Sequence, residues 1–253
     1  MNRDYKESFE KTRIAGSVAA GALDEVKKII KPGISTEEID KVCYEYINDN
    51  NAFSAPLYYR GFPKSCCTST NHVVCHGIPS SKVLKEGDII NVDVTAYKDG
   101  WHGDTSRMFQ IGEISVKAAK LIKTTYESMM EAIKIIKEDV QLGDIGSTIQ
   151  KYVEAEGFSV VQDFCGHGIG KSFHKEPNIL HYGEKGTGEK VKAGMIFTIE
   201  PMINLGNYET KTLNDGWTAV TKDKSLSAQF EHTIGVTKDS YEIFTQSNKV
   251  KKI

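Results

Sequence analysis

Two aspartates, Asp93 and Asp104, lie on either side of an Asp99-Gly100 pair within the stretch 91–109. Residues 91–97 are rich in β-formers, Asp-Gly is a strong hairpin signal, and residues 101–109 can run back along the first strand. A two-residue turn at Asp99-Gly100 pairs Lys98 with Trp101, so that Asp93 faces Ser106 and Asp104 faces Thr95. Alternation then puts all four of these polar residues on one face of the sheet. The carboxylates become diagonal neighbours, roughly 7–8 Å apart at the backbone and within reach of two metal ions about 3.5–4 Å apart. The hairpin alone leaves two readings open, because an Asp on a strand is often simply solvated and an Asp beside Gly is often a turn former.

Further residues of the same chemical kind lie downstream. Glu200 ends an apolar, strand-like run, 195–200, at Pro201, and Glu231 interrupts another, 227–236. In the second run Ala228, Phe230, His232, Ile234 and Val236 share one face, whereas Gln229, Glu231 and Thr233 take the other. His167 stands among glycines in Gly166-His-Gly-Ile-Gly170, where the backbone can pass close to a ligand. That glycine pattern lacks the spacing and helix-opening context of a phosphate loop. His174 and His76 follow in Ser172-Phe-His-Lys and Val74-Cys-His-Gly. Each histidine or glutamate alone reads equally as a hydrogen-bonded or solvated residue.

The elements that must position these groups alternate between helices and strands. Apolar spacing predicts a helix over 5–31, stopped by Pro32-Gly33, and a second to about 50 opened by a Ser35/Glu38 capping box. Strands are expected around 52–58, 67–75 and 89–97, and helices at about 116–137 and 145–156. The segment Val83 to Asp93 is echoed by Lys190 to Glu200, which offsets Gly87 to Gly194 and Asp93 to Glu200 by the same 107 residues. Ile29-Ile-Lys31 is likewise echoed by Ile135-Ile-Lys137. Two such halves imply an α+β fold with pseudo-twofold symmetry. The expectation is a single domain over 1–253, with halves at about 5–110 and 115–245.

Composition narrows the class. The chain has 253 residues and a formal net charge of -2, without the basic excess of a broad nucleic-acid footprint. No apolar run reaches membrane-spanning length, and the N-terminus lacks the apolar core of a signal peptide, so a cytoplasmic location is expected. Five cysteines, with no Cys-x-x-Cys, indicate neither a disulfide framework nor a zinc ribbon. Cys67, Cys75, His72 and His76 could form a zinc cluster, but the reading adopted is buried, reduced thiols. The lysine-rich tail after Asn248 reads as a frayed end.

Together the acids and histidines resemble a known family. Asp93, Asp104, His167, Glu200 and Glu231, in that order and in those local sequences, look like the five metal ligands of the methionine aminopeptidases of the pita-bread fold. The resemblance extends through Phe62-Pro-Lys-Ser, Cys75-His-Gly-Ile-Pro79, Gly103-Asp-Thr-Ser106, Thr198-Ile-Glu-Pro201 and Phe230-Glu-His-Thr233. It is closest to the short bacterial type I form, and it implies two divalent ions, Mn, Fe(II), Co or Zn. By this resemblance Asp104 and Glu231 bridge the ions, Asp93 chelates one, and His167 and Glu200 complete the other. A bridging hydroxide would then attack the scissile carbonyl. The resemblance makes His76, His174 and Glu200 catalytic: His76 near the amide nitrogen, His174 near the carbonyl oxygen, Glu200 as proton shuttle. It assigns the methionine pocket to Tyr59, Phe62, Cys67, Phe173 and Trp217, with Phe62 where the family often has Tyr.

The implied activity is removal of initiator methionine from nascent proteins and peptides with a small second residue. Such an enzyme would act as a cytoplasmic monomer, without a membrane or specific nucleic-acid site, and would meet its substrates near the ribosome. Two rivals are an X-Pro dipeptidase of the same fold and a non-catalytic pita-bread binding or chaperone protein. The first normally carries a separate N-terminal domain, for which there is no room before Tyr5; the second is disfavoured by the complete ligand set.

Overall fold

The structure, a computed structural model, describes residues 5–247. The first four residues, where the signal-peptide reading falls, and the lysine-rich tail from Asn248 lie outside them. In chain order the elements are α1 (Lys6–Ile29), α2 (Thr36–Asp49), β1 (Phe53–Ser54), β2 (Cys67–Thr70), β3 (Val73–Cys75), β4 (Ile89–Lys98) and β5 (Trp101–Gln110). They continue as α3 (Val116–Lys134), α4 (Leu142–Ala155), β6 (Ser159–Val160), β7 (Gly166–Gly168), β8 (Lys175–Ile179), β9 (Ile196–Ile199) and β10 (Met202–Asn204). Strands β11 (Thr210–Thr212), β12 (Ala219–Thr221), β13 (Ser227–Gln229), β14 (Glu231–Val236) and β15 (Tyr241–Ile243) complete the described chain. No helix among the described residues is long and apolar enough to cross a membrane.

A nine-stranded antiparallel sheet in the order β1-β4-β5-β14-β9-β7-β8, with β2 on β4 and β15 on β14, forms the centre. One face is apolar. Val92, Val94 and Ala96 of β4 pack with Leu23 and Val26 of α1 and Ile39 and Ile47 of α2. Phe197, Ile199, Ile234 and Val236 pack with Leu121, Met129 and Ile133 of α3 and Ile149 of α4. Residues alternating with these point to the other face, so the four helices cover one side and the polar side chains gather on the opposite side.

The β4–β5 hairpin has the expected register: Lys98 pairs with Trp101, Thr95 with Asp104 and Asp93 with Ser106. Asp99 (φ 49°) and Gly100 (φ 86°) both adopt the left-handed backbone that a tight hairpin turn with Asp-Gly requires. The Ser35 capping box is present, with Glu38 N–H donating to Ser35 Oγ at 3.2 Å and Ser35 N–H to Glu38 Oε2 at 2.8 Å. Gln141 and Asp144 cap α4 in the corresponding way.

Local contacts of one half recur in the other. The bridge Ser35–Val83 is matched by Gln141–Lys190. Gly87 N–H donates to Ile111 O and Gly194 N–H to Val236 O, both at 2.8 Å.

Three strand boundaries differ from the sequence reading. The run 67–75 is two strands, because Asn71 takes φ 57° and reverses the chain; β3 then leaves the main sheet to pair with β12. The run 52–58 keeps only β1, since Tyr58 (φ 66°) and Arg60 (φ 47°) fold the chain into a tight loop closed by Tyr58 N–H donating to Phe62 O. The run 227–236 divides at Phe230, with β13 pairing with β10 while β14 joins β5 and β9.

Candidate metal centre and active-site cavity

The strand registers line up polar residues in two rows across the inner face. In the first row Cys67 pairs with Asp93, Asp93 with Ser106 and Ser106 with Glu231. Continuing the β14–β9 register brings Glu200 beside Glu231. One pleat along, Thr95 pairs with Asp104 and Thr233 with Thr198. Thr233 Oγ accepts from Asp104 N–H at 3.0 Å and donates to Asp104 O at 2.8 Å. His167 N–H donates to Thr198 Oγ at 3.0 Å, which adds the histidine to the end of this row.

All five residues implied as ligands therefore line one cavity of about 420 Å³. Ligand atoms of Asp104, His167 and Glu231 lie within 4.8 Å of one another. His167 Nε2 is 3.6 Å from Glu200 Oε1 and 3.8 Å from Asp104 Oδ2. The histidine tautomer follows from its other contact: Nδ1 lies 3.2 Å from Gly168 O, an acceptor, so Nδ1 carries the proton and Nε2 offers its lone pair to the acids.

The electrostatics favour a cation, because without one the buried acids hold their protons. Burial pushes the Asp93 carboxyl up to about 7 and Glu200 to about 8, and it raises Asp104 and Glu231 well above the carboxylate range, with the neighbouring acids adding to the effect. His167 cannot compensate, since burial holds it down at about 4 and therefore neutral. The one positively charged side chain lining the cavity, Arg60, is exposed at its rim. Four crowded acids and a neutral imidazole with its lone pair directed inward fit divalent ions with oxygen and nitrogen ligands, and do not fit a thiolate-bound metal.

Hydroxyl groups orient the ligands. Thr95 Oγ donates to Asp104 Oδ1 and Thr198 Oγ to Glu200 Oε1, each at 2.7 Å. Thr198 thus joins the His167 backbone to the Glu200 carboxylate. Fully buried His181 accepts the Glu200 N–H through Nε2 at 3.1 Å; burial holds its pKa down at about 3, which keeps that nitrogen available as an acceptor.

The other predicted residues surround these acids. Tyr59, Phe62, Cys67, His76, Phe173, His174 and Trp217 all line the same cavity. Phe62 meets Trp217 edge-on at 5.2 Å, and His76 packs edge-on against Phe164 at 5.5 Å. Across from them, Tyr59 lies 4.9 Å from Phe173, and its hydroxyl is 3.0 Å from His174 Nδ1. Burial of its ring, then the neighbouring His167, holds the His174 pKa well below its ordinary value. The five cysteines are free thiols.

Sequence reasoning did not single out Thr198, Thr233, His181 or Arg60. Thr198 could have been found by stepping two residues back from Glu200 along the strand. Nothing in the local sequence marks His181.

Residues 10–238 match the model of metallopeptidase family M24. The chain belongs to metallopeptidase family M24. It is 55% identical over 245 residues to a methionine aminopeptidase of Rickettsia prowazekii, a match covering 96% of this chain and 95% of that one. The crystal structure of methionine aminopeptidase from Rickettsia prowazekii superposes with a TM-score of 0.94, covering 95% of this chain and 98% of that chain. A prolidase from Pyrococcus furiosus, at 20% identity, shares the fold with a TM-score of 0.77 over 96% of this chain and 65% of its own. The curled antiparallel sheet with its helices on one side is the pita-bread fold, and family membership implies the use of divalent metal.

Proposed function

We infer that this protein is a methionine aminopeptidase, a metal-dependent hydrolase that removes the N-terminal methionine from peptides and new proteins. The observation that carries this reading is 55% identity over 96% of the chain to a relative of that name, with the acid and histidine cluster in one cavity. The X-Pro dipeptidase reading rests on likeness of fold, at 19–22% identity.

In this reading Asp93, Asp104, His167, Glu200 and Glu231 would hold two divalent ions, drawn from Mn, Fe(II), Co and Zn. When bound, such ions supply Lewis acidity that activates water and polarises a carbonyl. The protein residues do the remaining work. The Glu200 carboxylate, oriented by Thr198, takes and returns a proton. If the Tyr59 hydroxyl donates to His174 Nδ1, the other ring nitrogen carries its proton and serves as a donor to the carbonyl oxygen as charge develops there. His76 takes the side of the amide nitrogen. Phe62, Cys67 and Trp217, with Tyr59 and Phe173 opposite, form an apolar slot for an unbranched thioether side chain. Phe62 offers no hydroxyl at that edge. The same reading carries a preference for a small second residue.

The chain works as one catalytic domain of two pseudo-symmetric halves, about 5–110 and 115–245. We place it in the cytoplasm as a monomer that meets nascent chains near the ribosome. The test incubates metal-stripped protein with Met-Ala-Ser and with X-Pro dipeptides, with and without Mn, Fe(II) or Co. Methionine release restored by metal is expected; none with any metal overturns the reading, and preferred X-Pro cleavage favours the dipeptidase.

A further inference from the structure

Of the residues lining the active-site cavity, only Arg60, Asp163 and His174 are exposed, so they mark its opening. With a methionine side chain held inside the cavity against Phe62 and Trp217, the rest of the peptide leaves past this rim. The three rim residues are differently committed. Asp163 accepts from Thr210 Oγ at 2.6 Å, and His174 is tied to the Tyr59 hydroxyl. Arg60 forms no ion pair or hydrogen bond among the described residues; its guanidinium stacks 5.4 Å over the Tyr59 ring.

The position of Arg60 is built in. Its left-handed backbone (φ 47°) and that of Tyr58 (φ 66°) are rare for residues with side chains, and the loop is closed at 2.7 Å between Tyr58 N–H and Phe62 O. The loop therefore fixes the Arg60 backbone beside two residues of the active-site wall, Tyr59 and Phe62. Its charge is near enough to His174 to disfavour protonation of that ring. Stacking on an aromatic face leaves the guanidinium edge, with its forked donors, free for a carboxylate.

We propose that Arg60 is a specificity-determining residue that reads the peptide beyond the scissile bond, favouring substrates with a carboxylate side chain at the third or fourth residue. This rests on the aminopeptidase reading above. An extended chain advances about 3.3 Å per residue, so with the first two residues inside the cavity the next two pass the rim. The preference is a property of the metal-loaded enzyme, the form that turns substrate over.

The experiment uses Mn-loaded wild type, Arg60→Gln and Arg60→Lys with C-terminally amidated Met-Ala-Glu-Ser, Met-Ala-Gln-Ser, Met-Ala-Ser-Glu and Met-Ala-Ser-Gln. A solvent-exposed ion pair predicts a Glu-over-Gln ratio in kcat/KM of about three to five in wild type, at one or both positions, carried by KM. The ratio should shrink towards one as ionic strength rises to about 0.5 M, fall to about one in Arg60→Gln, and return in part in Arg60→Lys. Because each ratio is internal to one preparation, partial misfolding of a variant cancels, and the wild-type salt dependence stands without any variant. A ratio of one or less at both positions in wild type overturns the proposal, as does a ratio that survives Arg60→Gln. No methionine release from the Gln peptides by wild type would instead overturn the activity reading itself.

Discussion

Replacing Gly103 by alanine perturbs the contact on which the hairpin and its first helix depend, one residue before Asp104. Gly103 lies in β5 where α1 crosses it, and a Cβ there would sit 2.2 Å from Gly16 N, 2.4 Å from Gly16 Cα and 2.7 Å from Ala15 C. These are backbone atoms, which no rotamer change can move aside. Ordinary van der Waals contact begins at 3.4 Å, so helix and strand must separate by more than an ångström. Gly16 is itself tightly placed against the sheet layer, since a Cβ on it would lie 2.5 Å from Phe244 O. Overpacking of this kind costs about 1–3 kcal/mol and sometimes more, and a backbone-on-backbone clash belongs at the upper end. A control separates the clash from backbone strain: Gly100→Ala at the hairpin turn meets nothing within 4 Å but has φ 86°, so it should lose only about 1–2 kcal/mol through the left-handed backbone. Urea unfolding of both variants measures the costs. Calorimetric Mn titration then shows which element gives way, since a displaced β5 carries Asp104 with it and weakens binding, whereas a displaced α1 does not. If Gly103→Ala unfolds within about 0.5 kcal/mol of wild type, or costs less than Gly100→Ala, the packing argument fails.

Thr198→Val keeps the shape but removes the hydroxyl between the His167 backbone and Glu200, so it should cost about 1–3 kcal/mol of stability and weaken Mn binding, while Thr198→Ser largely preserves both. Equal losses in the two variants by urea unfolding and calorimetry would count against the hydrogen-bond role. Asp104→Asn should sharply reduce metal occupancy, read by elemental analysis, and turnover; wild-type turnover would refute a ligand role for Asp104. Metal-free protein should lose stability as pH rises from about 4 to about 8, because Asp93 (about 7) and Glu200 (about 8) keep protons in the folded state that an unfolded carboxyl releases near pH 4. The gap in urea midpoint between Mn-loaded and EDTA-treated protein should therefore widen from pH 5.5 to 8, and a gap of constant size would contradict the buried-acid account.

Local chemistry made part of this architecture legible in the sequence. Asp99-Gly100 admits one tight turn, and that turn alone sets which residue faces Asp93 and Asp104. Ser35 and Glu38 announce α2 because a capping box satisfies backbone groups within one turn of helix. What escaped depends on distant pairing. Thr198 matters because β9 lies beside β7, which brings it to a residue 31 positions earlier. His181 matters because a buried ring happens to meet the Glu200 N–H. The break at Asn71 was different: Asn tolerates the left-handed backbone that reverses the chain there, so the residue type itself carried a turn signal inside the run.

The internal echo reaches further into the site than the 107-residue offset of Asp93 and Glu200. β2 pairs with β4 as β7 pairs with β9, and following those registers relates Cys67 to Cys165, 98 residues apart; His76 and His174 stand at the same 98-residue offset in sequence, and all four line the cavity. Pairing of β4 with β5, set against β9 with β14, makes Ser106 the counterpart of Glu231 and Asp104 the counterpart of Gln229. The same registers make Ser69 the counterpart of His167. Of the five candidate ligands, then, only Asp93 and Glu200 are a repeated pair; each of the other three stands opposite a serine or an amide. Symmetry supplies two facing histidines and two facing acids, and its departures add one carboxylate to the first half and a carboxylate with an imidazole to the second. Two ions held there would sit in unequal surroundings, the nitrogen ligand belonging to one side only, which gives a physical basis for stepwise rather than equal binding in the Mn titration.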